Sequence, residues 1–430
     1  MSERDSGNPV GAAGAPAGTR SVPFGPASPL RARSTHSAWG KLGSPVCPSA
    51  TARLPRLRTS DSFPFGIEEE FFLIDATRKS IVLTRPPEFL EQLKAALGAQ
   101  VSTEMLQSQI EVSTLPHVDM ATAGAELKHL RQTVASIAAQ HGLAIIAAGT
   151  HPTADWWLAQ PSPGARYDTI MHDLGMIGKR DMLCGMHVHI ELPNSEDRLD
   201  VMCRMLPYLP LFIALSTSSP FWQSHVTGLM GYRLAAYDEL PRTGIPELLR
   251  SREEFDAYIE ALTQAGVIED SSYIWWAIRP SLRHPTLELR APDSCTFVED
   301  SVAIAALYRS LARRLCRDPI QNCDLTAVQR AVIIENKWRA QRYGIHGTFA
   351  DDRGRGALTV SDLLDEVLDA VLPDAEALGC ADEVLRCRAI INGGTSADIQ
   401  LAIFETQAKE NGPTQALAAV TDWLAAATLQ

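Results

Sequence analysis

Four short stretches of the chain set ionisable side chains on one face of a strand-like pattern, two in each of three stretches and one in the fourth. They are Gly66-Ile67-Glu68-Glu69-Glu70-Phe71-Phe72, Gln109-Ile110-Glu111-Val112-Ser113, Met186-His187-Val188-His189-Ile190 and Leu287-Glu288-Leu289-Arg290. Side chains of a β-strand alternate with a period of two. Glu68 and Glu70 therefore share a face, as do His187 and His189, and Glu288 and Arg290. Glu111 shares its face with Gln109 and Ser113. Between them, Ile67, Phe71, Ile110, Val112, Val188, Ile190, Leu287 and Leu289 point the other way and suit packing on helices. Glu69 also points away from its two neighbours. Carboxylates crowded on one sheet face repel each other and resist ionisation unless cations are bound there. The simplest chemistry is a polar sheet face that holds divalent metals, and hard oxygen donors suit Mg²⁺ or Mn²⁺.

Other chemistries fit less well. The pair His187 and His189 lacks a third His or Cys at a zinc spacing, and no HExxH occurs. One imidazole among several carboxylates agrees better with the neighbouring strands. Glu288 and Arg290 admit two readings: a cation that neutralises a phosphate in transfer, or a cross-strand ion pair. Lys337, Arg339 and Arg342 lie within six residues of one another. They make either a phosphate clamp or a basic helix end that stops at Gly344. Neither a Walker A motif nor GxGxxG is present, so a nucleotide must be held by another scaffold.

Placing these groups requires a sheet. Strands are expected at 65–74, 109–114, 143–148, 185–192, 273–279 and 286–291. Pro86-Pro87 opens a helix over 87–97. Leu127, Leu130, Val134, Ile137 and Ala138 recur at helical spacing within 119–141. A helical stretch follows at 196–218, then a Gly- and Pro-containing loop over 222–250 with short elements. The remainder to Gln430 reads as mainly helical. There is no internal repeat and no domain boundary after residue 61. Strands with interspersed helices, lacking regular βαβ alternation, indicate an α+β fold.

The 430 residues, 45% hydrophobic and 21% charged, are ordinary for a soluble globular protein that can bury a large core. Residues 1–60, rich in Gly, Pro, Ala, Ser and Arg, read as a disordered basic extension. They hold eight Lys/Arg against two Asp/Glu, so the net charge of −12 leaves −18 on residues 61–430. That acidic body argues against nucleic acid as the main partner. No apolar run approaches the ~20 residues of a membrane span, and no secretory signal is visible. The eight cysteines form no CxxC pair, which suits reduced thiols and a cytoplasmic location.

In this order the segments resemble the YbdK-type carboxylate–amine ligases, also called glutamate–cysteine ligase type 2, in the superfamily of glutamine synthetase. Matching pieces are Gly66–Glu70, Gly149-Thr150-His151-Pro152, His187-Val188-His189, Ala214–Pro220, Ile278–Ser281, Leu287–Arg290 and Arg342-Tyr343-Gly344. The resemblance covers essentially residues 63–428. The resemblance implies a curved, largely antiparallel sheet flanked by helices, like the glutamine synthetase catalytic domain, built from residues 61–430. It implies Glu68, Glu70, Glu104, Glu111, His187 and Glu288 as metal ligands. His189 would lie beside nucleotide or substrate. Arg290 would face the transferred phosphate, and Arg342 with Lys337 would contact phosphate or a substrate carboxylate. Arg233, Arg242 and His151 fall in segments where the family holds substrate. Position 69 is often apolar in relatives and is Glu here.

The implied reaction joins L-glutamate and L-cysteine at the expense of ATP, with Mg²⁺ or Mn²⁺. It gives γ-glutamylcysteine, ADP and phosphate through an acyl phosphate, in a homodimer. Two alternatives stay open: a ligase for another carboxylate and amine, and a non-catalytic homologue that binds nucleotide or amino acid. Intact Glu68, Glu70, Glu111, Glu288 and Arg290 weigh against the second.

Overall fold

Alternating polar and apolar residues from Phe65 to Asp75 form the long strand β1, on which the other strands of the main sheet are assembled. The computed structural model describes residues 62–351 and 354–430, so the basic extension lies outside the described residues. The sheet strands that follow β1 are β2 (Val101–Thr103), β3 (Gln109–Ser113), β4 (Leu143–Ile146), β5 (Met186–Glu191), β6 (Ile278–Pro280) and β7 (Thr286–Leu289). Their order is β2-β3-β1-β5-β7-β6, with β4 paired to the end of β1. Every pairing in this sheet is antiparallel.

Register decides which side chains become neighbours. Across β1 and β3, Glu70 lies opposite Glu111 and Glu68 opposite Ser113. On the other edge of β1, Glu68 lies opposite His187. His189 then faces Glu288, and Glu288 faces Arg279. A slip of one residue in any pair would turn its polar row into the core. The apolar row prevents that slip: Ile67, Phe71, Ile110, Val112, Val188, Ile190, Leu287 and Leu289 are all fully buried.

The helices that cover this row follow from their own apolar stripes. Helix α1 (Pro87–Leu97) and helix α2 (Met120–Gln140) pack Phe89, Leu93, Leu130 and Val134 into one cluster with Phe71 and Ile110. Asp119 caps α2 by accepting from Thr122 N. Two further helices build the wall of the site, α3 (Ala165–Leu174) and α4 (Tyr232–Tyr237). The long helix α5 (Val298–Arg317) is buried along most of its length and packs on β5. Helix α6 (Ala327–Tyr343) carries the basic cluster and begins with a capping box at Thr326 and Gln329.

Several elements differ from the sequence expectation. The stretch 196–218 is broken by Pro207 and Pro210 into helices Arg198–Met205 and Leu209–Leu215, because proline lacks the donor a continuous helix needs. Only Ile278–Pro280 of the expected 273–279 strand pairs, and Ser271–Tyr273 is a 3₁₀ turn. Helices α3 and Arg252–Gln264, and a hairpin of Thr348–Asp351 with Gly356–Thr359, were not anticipated.

Glu69 points away from the polar row but does not reach solvent. It is 0% exposed, and its carboxylate is clasped by Arg131 of α2, itself 1% exposed, at 2.6 and 2.7 Å. Ser301 donates to the same carboxylate at 2.5 Å. The Arg131 guanidinium also donates to the carbonyls of Cys295, Thr296 and Thr428. Removing one partner of such a pair leaves an unpaired charge in a dry interior. Replacing Arg131 with Met should lower stability by about 3–5 kcal/mol, read as a fall in the urea midpoint.

Candidate active site

The polar rows converge on one cleft that is open to solvent. Its floor is the sheet: Glu68 and Glu70 from β1, Glu111 from β3, His187 and His189 from β5, and Glu288 with Arg290 at the end of β7. Glu104, from the turn between β2 and β3, joins them. The walls come from α3, α4 and the segment 272–284.

Two groups of ligand atoms lie within 4.8 Å of one another. One comprises Glu68, Glu111 and His187; the other comprises Glu70, Glu104 and Glu111. Glu111 belongs to both. Backbone and side-chain donors aim these carboxylates: Gly185 N donates to Glu70 at 2.6 Å and Ser102 to Glu111 at 2.7 Å. Burial, with Glu68 and Glu70 nearby, pushes Glu111 up to about 8. Burial together with Glu111 and Glu70 raises Glu104 well above the carboxylate range. The protein alone does not compensate this end of the cleft.

His187 supplies the nitrogen. Its Nδ1 is buried without a hydrogen bond, 3.5 Å from Glu68, and its Nε2 is 3.6 Å from Glu70. Burial and the charge of Arg290 lower its pKa, which keeps the ring neutral and able to donate a lone pair. An orphaned imidazole nitrogen among hard carboxylate oxygens fits a divalent cation such as Mg²⁺ or Mn²⁺. Glu68 behaves differently from Glu111. Burial opposes its ionisation, yet the close imidazoles of His189 and His187 outweigh burial and hold it below the usual range.

The opposite end is cationic. Glu288 is gripped by Arg279 at 2.8 Å and by Arg290 at 2.5 Å. Burial opposes its ionisation, but these two guanidinium groups overcome it, so the carboxylate stays charged. His189 lies 3.4 Å from Glu68 and 4.0 Å from Glu288. Burial lowers its pKa, but the two carboxylates more than offset this and raise it. Arg279 was not singled out in the sequence, although its place opposite Glu288 follows from strand alternation. Asp181 and Tyr237 also line the cleft and come from segments that carry no periodic signal.

Similarity to known proteins bears on what the cleft serves. Residues 64–418 match the model of glutamate–cysteine ligase family 2. A Bradyrhizobium diazoefficiens protein with the provisional name glutamate–cysteine ligase 2 is 54% identical over 367 residues, covering 85% of this chain and 84% of that protein. One of the same name from Rhodospirillum rubrum is 43% identical over 375 residues, covering 86% and 96%.

The chain belongs to glutamate–cysteine ligase family 2. It is an ATP-dependent carboxylate–amine ligase of the glutamate–cysteine ligase type. The fold is shared with the glutamate–cysteine ligase of Francisella tularensis, crystallised with AMP, at a TM-score of 0.65 and 13% identity over 86% of this chain and 90% of that one. The bifunctional glutathione synthetase of Pasteurella multocida aligns at 0.61, with 16% identity over 85% and 52%.

Five residues expected at the ligase site lie outside the residues that line the cleft. Arg233 is buried behind it, donating to the carbonyls of Arg290, Ala291 and Pro292 at 3.0–3.5 Å, so it fixes the chain that presents Arg290. Arg242 donates to Tyr273 O and lies over the Trp275 ring. Lys337 is buried and paired with Asp238. Arg342 rests on the Tyr343 ring, 5.0 Å from its centroid. His151 packs edge-on against Phe72 in the core, with ring centroids 6.0 Å apart.

Gly185 has no room for a side chain. A Cβ there would lie 2.1 Å from the Arg233 guanidinium, while its N–H aims Glu70. Gly185→Ala should therefore cost about 1–3 kcal/mol of stability and raise the Mg²⁺ concentration needed for half-maximal turnover, both measurable on one purified variant.

Burial pushes His151 down to about 3, against about 6.5 for an unfolded chain. Below pH 6.5 the unfolded state binds the extra proton, so stability is complete above that pH. It is lost as pH falls toward 3, by roughly 1 kcal/mol per unit. His151→Gln should flatten the pH dependence of the urea midpoint between pH 7 and pH 5 relative to the native protein.

Proposed function

We propose that this ligase joins the γ-carboxylate of L-glutamate to the amine of L-cysteine, giving γ-glutamylcysteine, ADP and phosphate. The observation that supports this reading is the polarised cleft. Glu111 is common to two converging donor groups at one end, and Glu288 is held between Arg279 and Arg290 at the other.

A carboxylate is a poor electrophile, so its oxygen must first accept the γ-phosphoryl group of ATP and become an acyl phosphate. The amine then attacks the carbonyl carbon and phosphate departs. Glu68, Glu70, Glu104, Glu111 and His187 would hold Mg²⁺ or Mn²⁺, with Glu288 at the margin. Bound there, divalent ions screen the repulsion between the phosphates and the incoming carboxylate. Arg290 stabilises the charge on the phosphoryl in flight, and Arg279 keeps Glu288 ionised and in place. His189, lying between Glu68 and Glu288, contacts nucleotide or substrate. Arg233 positions Arg290 from behind. The reading carries with it a cytoplasmic homodimer that supplies γ-glutamylcysteine for glutathione biosynthesis.

An ADP-release assay with Mg²⁺, ATP and a panel of amino acids tests the assignment. L-glutamate with L-cysteine should give the largest signal, and Glu288→Ala or Glu68→Ala should reduce it by two orders of magnitude or more while circular dichroism stays native. Unchanged turnover in either variant would sink the site. A larger signal from another pair would replace the substrates and leave the site standing.

A further inference from the structure

One carboxylate of the cleft is accounted for by neither donor group. Asp181 lines the cavity, belongs to neither set of converging ligand atoms, and its carboxylate makes no hydrogen bond or ion pair among the described residues. It faces the charge of Glu70. Of the two guanidinium groups near it, Arg233 donates through Nη1 to three carbonyls and Arg290 through Nη2 to Glu288, while the Nε of each is buried without a hydrogen bond.

A second polar group points the same way. Tyr237 of α4 is 8% exposed and lines the same cleft, and its hydroxyl has no hydrogen bond among the described residues. Its ring is held under Arg233, whose guanidinium lies 5.7 Å from the ring centroid. Arg180, next to Asp181, donates to Glu239, just after α4, at 2.7 Å. That bond joins the segment bearing Asp181 to the one that follows Tyr237. Polar groups that line a cleft and lack protein partners are free to meet the complementary groups of a ligand.

The complementary group is a compact cation with several N–H donors. A protonated amine offers three donors and one positive charge, matching a carboxylate and a phenol oxygen. A metal ion would call for further oxygen ligands converging on Asp181, and those carboxylates gather around Glu111 instead. We infer that Asp181, with the hydroxyl of Tyr237, docks the ammonium group of the amine co-substrate. The inference rests on the ligase reading above and assigns its second substrate a place in the cleft.

The test uses the full-length enzyme with L-cysteine, or the amino acid that the ADP-release panel puts in its place. Asp181→Asn should raise the KM for that amine about tenfold or more, with KM for ATP and L-glutamate within about twofold. Tyr237→Phe should raise the amine KM by a smaller factor. Hydroxylamine, uncharged at neutral pH, reports separately on whether a variant still folds and activates glutamate. Amine KM unchanged in Asp181→Asn overturns the inference. So does an effect confined to the Mg²⁺ requirement, which would make Asp181 a metal ligand. A native enzyme that forms neither hydroxamate nor ADP with L-glutamate overturns the glutamate assignment on which the inference rests.

Discussion

The structure depends on the repulsion among carboxylates that antiparallel register forces together. Glu70 and Glu111 are opposite one another, and Glu104 reaches the same point from a turn. A folded chain tolerates this only because the reverse face of the same strands is buried and, apart from Glu69 in its pair with Arg131, apolar. Hydrophobic burial of Ile67, Phe71, Ile110 and Val112 fixes the register, and the register fixes the crowding. The energy that holds the acids together is thus supplied on the other side of the sheet. Uncompensated charge then becomes an affinity for cations.

The cleft is not uniformly acidic, and its asymmetry suits a reaction between two anions. At the Glu111 end, burial favours protonated carboxyls until a cation arrives. At the Glu288 end, two arginines keep one carboxylate charged and leave guanidinium edges toward the cavity. His189 bridges the ends through Glu68 and Glu288. A phosphorylated ligand can therefore meet positive charge from two sources, one built into the protein and one recruited. Arg233 contributes without touching the cavity, by holding the backbone that follows β7.

Much of the site was legible in the sequence because strands impose a period of two. Glu68, Glu70, Glu111, His187, His189, Glu288 and Arg290 share one face by that rule, and the structure gathers them around one cleft. The same rule applied to Ile278-Arg279-Pro280 would have added Arg279. Asp181 and Tyr237 could not be found that way, since one sits in a loop and the other on a six-residue helix. They share the cleft, and Arg180 beside the one pairs with Glu239 just after the other. The basic run at Lys337–Arg342 admits both a phosphate clamp and a basic helix end because composition does not show direction. In the fold Lys337 turns to Asp238, Arg339 to Thr348 and Arg342 to Tyr343. Helix Arg252–Gln264 was announced by Ser251 and Glu254 in capping-box spacing, whereas α3 opens at Gly164 with no side-chain cap to announce it.

The Glu69–Arg131 clasp has a bearing on how the molecule is made. Arg131 donates to the carbonyl of Thr428, 297 residues further along, and the Thr428 hydroxyl accepts from Ala147 N. Strand β1 therefore cannot be locked until the segment around Thr428 has folded back onto it. Such long sequence separations slow folding and prolong the exposure of sticky intermediates.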